Sequence, residues 1–185
     1  MNLVNKTQIN WCNPWRLTLW GGVLCLLLLP LIAMQFSKEV NWTASDFVVA
    51  AILLGTTALL IDFGCRVSAN LAGRAGWLVM VLTSFLLIWI NLAVGIIGSE
   101  NNEANLLYVA VLLSVVLGAP LVRCQPRAMS KVLLLTAVSQ MGVELVIQLL
   151  GWGAAPVINL TFTLLWLLAA GLLYNSSTTS RVTEA

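Results

Sequence analysis

Six long runs of apolar residues, separated by short polar segments, form the dominant pattern of this chain. Each run is close to the roughly 20 helical residues that cross a ~30 Å hydrocarbon core. The runs are continuously apolar, whereas a membrane β-strand is shorter and alternates between apolar and polar positions. The pattern therefore predicts an all-α integral membrane protein, a bundle of six transmembrane helices at residues 17–34, 46–64, 76–98, 105–122, 131–150 and 154–174.

The short connections between the runs define a single domain. We predict one transmembrane domain over residues 17–174, with an N-terminal tail at 1–16 and a C-terminal tail at 175–185. The composition also indicates a membrane protein, because 60% hydrophobic and 9% charged residues are far from the values of an ordinary soluble domain. The basic residues before the first run also fit a cleaved signal peptide, but no small-residue cleavage site follows Met34, which favours a retained helix.

Lys and Arg are distributed unevenly among the connections. Cytoplasmic loops of membrane proteins carry the excess of these residues. Eight of the nine fall on one side of the six predicted helices: Lys6, Arg16, Arg66, Arg74, Arg123, Arg127, Lys131 and Arg181. Only Lys38 falls on the other side, together with Glu39, Asp46, Glu100 and Glu103. The distribution predicts that both termini are cytoplasmic.

Residue types that carry most cofactor chemistry are scarce. The chain has no histidine, which removes every triad that uses imidazole and most zinc, copper and haem sites. On the predicted topology Cys12, Cys65 and Cys124 face the reducing cytoplasm and Cys25 lies in lipid, so no disulfide is expected. We expect no cofactor, no metal, no catalytic site and no nucleic-acid partner. The expected partners are the lipid bilayer and either a second copy of the chain or another membrane protein.

Residues 91–108 read NLAVGIIGSENNEANLLY. This segment resembles the signature NLAVGIIGSExNxANLxY of a family of small, uncharacterised bacterial inner-membrane proteins. Residues 39–47 and 123–129 also resemble that family, and the chain has Glu103 where the family usually has Pro. The resemblance implies a multi-pass protein of the bacterial inner membrane and brings no established activity with it.

The fifth run carries a stripe of polar residues. Thr136, Gln140, Glu144 and Gln148 are spaced four apart and therefore share one helix face, which should point into the bundle. Ionisable groups are costly in lipid, so Glu144 is a candidate functional residue. In one interpretation Glu144 binds a proton, a cation or a polar solute, with its neighbours as hydrogen-bonding groups. In the other, the stripe joins helices through hydrogen bonds.

Asp62 lies at the cytoplasmic end of the second run, four residues before Arg66. This spacing predicts a local ion pair at the membrane interface. In the alternative interpretation, Asp62 is the proton-binding residue at the cytoplasmic end of a proton path that leads to Glu144.

Asn91 lies within the third run, and Gly95 and Gly98 follow it at helical spacing. We expect this face to pack against another helix, with Asn91 hydrogen-bonded across the contact. The alternative is that the face, with Ser99 and Glu100 at its end, lines a cavity that opens outward. The acidic and amide-rich segment 99–105 also suits a hard cation, but its spacing matches no EF-hand loop, and a polar connection is expected there anyway.

Three function classes follow, of which a structural or accessory membrane subunit ranks first. The alternative is a small transporter or channel-like protein that binds a proton or small polar solute at Glu144. An intramembrane enzyme has the least support, because one carboxylate without a nucleophile or a second acid is no catalytic constellation.

Overall fold

The computed structural model describes residues 14–68 and 70–182, with side chains to 178. The predicted tail residues up to 13, including Lys6, and those after 182 lie outside this part. The described residues form six α-helices and one short 3₁₀ helix, Glu103–Leu106. The α-helices are α1 (Pro14–Phe36), α2 (Ala44–Val67), α3 (Leu71–Ala93), α4 (Leu107–Leu121), α5 (Pro126–Leu149) and α6 (Pro156–Val182).

Six helices of the described chain are long and apolar enough to cross a membrane, with the 3₁₀ turn counted as the start of the fourth. No strand occurs among the described residues. The all-α character and the number of candidate spans are thereby confirmed.

Several helices begin or end away from the predicted limits, each for a local reason. Helix α3 begins at Leu71 instead of 76, because the Asn70 side chain caps it by accepting a hydrogen bond from the amide of Gly73 at 2.9 Å. Helix α5 begins at Pro126 instead of 131, since proline suits the first turn of a helix. Helix α6 continues to Val182, so part of the predicted C-terminal tail is helical.

The chain divides into two compact units, one up to Asp62 and one from Phe63 onward. The first unit contains α1 and most of α2. None of the residues of α1 is buried, whereas α2 buries a stripe at Ala50, Leu54 and Ala58. Arg16 of α1 makes a two-pronged ion pair with Asp62, with its Nε 3.2 Å from Oδ1 and its Nη2 3.1 Å from Oδ2.

The second unit is built on α5 and α6, which pack most extensively against each other. Helix α3 packs on α6, and α4 packs on α5, so the packing order is α3, α6, α5, α4. The start of α3 is also tied to α6, because Asn70 donates a hydrogen bond to the carbonyl oxygen of Ser176 at 3.0 Å. The largest fully buried side chains of this unit are Trp166, Tyr108, Leu87, Met129, Leu133, Ile147 and Leu173.

Helices α3 and α6 approach closely at a glycine. A Cβ atom added at Gly76 would lie 2.8 Å from Cγ of Leu173 and 3.1 Å from its backbone nitrogen. Small residues permit such approaches between membrane helices, where close packing replaces the hydrophobic effect as the source of association.

Replacing Gly76 with Ala should therefore destabilise the second unit. We expect Gly76→Ala to lower the free energy of unfolding by about 1–3 kcal/mol, the usual range for overpacking. Gly142→Ala on α5 is the matched control, because nothing lies within 4 Å of a Cβ added there. SDS titration of the detergent-solubilised protein gives both values. Equal stability of the two variants would contradict the close contact.

Candidate functional site

Glu144 lies in the interior of the second unit, with 3% of its surface exposed. Its carboxylate accepts hydrogen bonds from the side chains of Gln148 and Asn159. The backbone N–H of Ala155, just before α6, also donates to it, with N···O distances of 3.2 and 3.3 Å. The start of a helix favours negative charge, and charge-assisted hydrogen bonds of this type are strong. Three donors of the fold therefore hold the carboxylate.

Asn159 of α6 is the centre of the surrounding network. Its Nδ2 donates to Glu144 and, at 2.9 Å, to the hydroxyl of Tyr108 on α4. Its Oδ1 accepts from Nε2 of Gln140 at 2.6 Å. The indole N–H of Trp166 donates to Oε1 of Gln140 at 3.4 Å. All five side chains are buried, and together they connect α4, α5 and α6. We call these five residues the Glu144 network.

Thr136 forms a separate link between α4 and α5. Its hydroxyl lies 2.7 Å from the hydroxyl of Ser114 and donates to the carbonyl oxygen of Val132 at 3.0 Å. Of the predicted stripe, Thr136, Gln140 and Glu144 are buried, whereas Gln148 is exposed and reaches back to Glu144. The prediction that the stripe points into the bundle is confirmed for the three buried residues.

The sequence did not identify the partners of this stripe. Each contact joins two different helices. Asn159, Ser114 and Trp166 bind stripe residues that are 15, 22 and 26 positions away, and Tyr108 binds Asn159 at a separation of 51. The available signal was Asn159, the one amide side chain in the apolar run 154–174. A lone amide in a membrane helix indicates a hydrogen bond to another helix, although it does not identify the acceptor.

The prediction of a small-residue helix face at Asn91, Gly95 and Gly98 is wrong. Helix α3 ends at Ala93, and both glycines adopt positive φ values, 73° and 69°. Glycine adopts this conformation without steric cost, so the two residues turn the chain instead of lining a helix. Asn91 donates to the carbonyl of Leu87 in its own helix at 2.7 Å, and not across a helix contact.

Asn105 holds the chain that follows α3. Its Oδ1 accepts from the amides of Ile96 and Ile97 at 3.0 and 2.8 Å, and its Nδ2 donates to the carbonyls of Ile97 and Ser99 at 3.3 and 2.7 Å. One side chain thus satisfies four backbone groups of a non-helical segment in which Ile96 and Ile97 are buried. Such satisfaction is required wherever irregular backbone lies away from water.

A cavity of about 330 Å³ lies between the end of α3 and the start of α4. Its lining includes Asn91 and Glu100, two of the residues that the alternative interpretation assigned to a cavity, but not Gly95, Gly98 or Ser99. We call this feature the α3/α4 groove. Its lining residues are Ile88, Asn91, Leu92, Glu100, Asn101, Asn102, Glu103, Asn105, Leu106, Tyr108, Val109 and Leu112.

Asp62 has a partner that the sequence did not reveal. Its carboxylate binds the guanidinium of Arg16, 46 residues earlier. The expected local pair of Asp62 with Arg66 stays a prediction. The role of Asp62 in a proton path stays a prediction.

Comparison with known proteins gives no match. No protein-family model, no curated protein and no solved structure matches the chain. The resemblance of residues 91–108 to a bacterial family therefore stays a prediction, and the functional argument depends on the geometry of the site.

The network predicts a large effect for the loss of Asn159. We expect Asn159→Ala to lower the free energy of unfolding by about 2–4 kcal/mol, because Glu144, Gln140 and Tyr108 each lose a buried hydrogen bond. Thr161→Ala is the control on the same helix. The exposed hydroxyl of Thr161 donates to the carbonyl oxygen of Val157 in its own helix, so this substitution should change the free energy of unfolding by less than about 0.5 kcal/mol. SDS titration measures both. Similar values would refute the central position of Asn159.

Proposed function

We propose that this chain is a multi-pass protein of the bacterial inner membrane, with cytoplasmic termini, and that it acts as a structural or accessory subunit. The six apolar helices support the membrane location. The distribution of Lys and Arg supports the orientation, and the resemblance of residues 91–108 supports the bacterial inner membrane. The observation that carries the accessory role is the buried carboxylate of Glu144, which the fold itself holds.

The surroundings of Glu144 favour a fixed contact over a transport site. A proton or solute bound there would have to compete with the hydrogen bonds from Gln148, Asn159 and the amide of Ala155. A hydrogen bond to a buried charged group contributes roughly 1.5–3 kcal/mol. Transport would require these bonds to break and form in every cycle, whereas a scaffold needs them to persist.

Helix α1 offers a surface for a partner. Its 23 residues include none that is buried, and its apolar side chains occupy all faces. A helix that is apolar all round is surrounded by lipid or by other membrane helices. In an accessory subunit, this helix is the element available to a second copy or to another membrane protein.

The proposed orientation can be tested by cysteine labelling in intact cells. In a variant without the four native cysteines, a membrane-impermeant maleimide should label Asn101→Cys from outside and leave Gln125→Cys unlabelled until the cells are opened. Both positions are exposed and lie in connections between helices. The reverse labelling pattern would contradict the orientation, and labelling of both in intact cells would contradict a crossing of the membrane by α4, which lies between the two positions.

The proposed role is separated from transport by a flux measurement on the Glu144→Gln variant. We expect proteoliposomes with the wild-type chain to show the same proton leak as empty vesicles, and Glu144→Gln to leave it unchanged. A pH-sensitive dye inside the vesicles reports the flux. A wild-type flux that Glu144→Gln abolishes in a folded protein would establish the transporter alternative.

The proposed accessory role also predicts that α1 contacts another protein chain in the membrane. A photo-crosslinking residue at Leu24 or Leu28 should yield a discrete protein adduct in native membranes, either a dimer of the chain or a complex with another membrane protein. Val138 on α5 is also exposed and serves as the comparison position. Adducts with lipid alone along the whole of α1 would count against an accessory subunit.

A further inference from the structure

The α3/α4 groove has its origin in the packing order of the second unit. Helix α3 packs on α6, and α4 packs on α5, so these two consecutive helices diverge from their connection. A cavity of about 330 Å³ lies between them, near the lower limit of the volumes that small-molecule sites occupy. In a membrane, such a space is filled by an apolar chain or by another helix, because close packing is the rule in protein interiors.

The walls of the groove are apolar along most of their length. Ile88 and Leu92 line it from α3, and Val109 and Leu112 line it from α4. Tyr108 also lines it and is fixed from behind by its hydrogen bond with Asn159. These walls suit a hydrocarbon chain that lies along the two helices.

One end of the groove is acidic. Glu100 and Glu103 are exposed there and belong to the lining, and the lining contains no Lys or Arg. The carboxylate of Glu103 has no hydrogen bond or ion pair within the described part of the chain, and that of Glu100 accepts one bond, from Asn101 at 3.1 Å. The groove therefore presents acceptors and negative charge.

We propose that the α3/α4 groove binds one membrane lipid whose head group carries a primary ammonium. One acyl chain of the lipid lies between α3 and α4, and its ammonium group lies at Glu100 and Glu103. This inference rests on the proposed membrane location, because the lipid enters the groove from the bilayer.

The charge and the size of the groove favour this lipid over other candidate occupants. An anionic lipid would bring its net negative charge beside two carboxylates, where like charges repel each other. A helix of a partner protein would need more space than the cavity of about 330 Å³ provides. A metal ion alone would leave the apolar walls without an occupant. A zwitterionic lipid with an ammonium end matches both the apolar walls and the acidic end.

The test uses the delipidated full-length protein in detergent and measures lipid binding by native mass spectrometry. Phosphatidylethanolamine should bind at one copy per chain and about tenfold more tightly than phosphatidylglycerol. This tenfold ratio corresponds to about 1.4 kcal/mol. The double variant Glu100→Gln and Glu103→Gln should remove this preference and leave similar, weak binding of both lipids.

Two control variants separate the groove from the general surface. Val109→Trp places a large ring in the groove and should abolish the stoichiometric site, whereas Val116→Trp, on the same helix but outside the lining, should leave it intact. Glu39→Gln removes a charge outside the groove and should preserve the lipid preference. Thermal unfolding of each variant verifies that the fold is retained.

Several outcomes would overturn the inference. Equal affinity of the wild-type chain for the two lipids would do so, as would an unchanged preference in the double variant. Full competition by free ethanolamine would assign the site to a soluble amine, and binding of calcium alone would assign it to a cation. A wrong membrane location would be recognised separately. In that case the chain would be recovered from cells in the soluble fraction without detergent.

Discussion

A carboxylate in an apolar interior has to be surrounded by donors, and the second unit is arranged around this requirement at Glu144. An isolated buried charge is strongly unfavourable, so its partners must be present whenever the helices are assembled. The turn before α6 must present the amide of Ala155, and α6 must present Asn159. Because Asn159 also binds Gln140 and Tyr108, the same requirement fixes the rotation of α4, α5 and α6 relative to one another.

This arrangement has a functional meaning beyond stability. Hydrophobic packing between membrane helices is weakly directional, since lipid tails and leucine side chains are equally apolar. A network of directed hydrogen bonds selects one arrangement from many that bury similar surface. The network thus suits a protein whose shape matters to its neighbours. The α3/α4 groove, with its apolar walls and acidic end, is the contrasting feature, because its side chains are only partly engaged within the fold.

The sequence predicted those features that depend on residues close together in the chain. The six apolar runs and the spacing of Thr136, Gln140 and Glu144 required only local periodicity, and the structure agrees with both. Long-range partners could not be predicted. Arg16 and Asp62 are 46 residues apart and Tyr108 and Asn159 are 51 apart, and hydropathy contains no information on which polar residues meet. The end of α3 was missed because residues 94–98 are as apolar as the helix before them, while the polar residue that stabilises their irregular backbone, Asn105, comes later.

The early end of α3 also affects how the protein fits the thickness of a bilayer. With 23 residues, the helix is about 34 Å long, close to the hydrocarbon core of an ordinary membrane. Continued to Gly98 it would reach about 42 Å, and a mismatch of that size would require strong tilt or a locally thickened bilayer. The left-handed glycines and the side chain of Asn105 keep Ile96 and Ile97 buried without adding height. The end of α3 at Ala93 thus keeps the helix to a length that an ordinary bilayer accommodates.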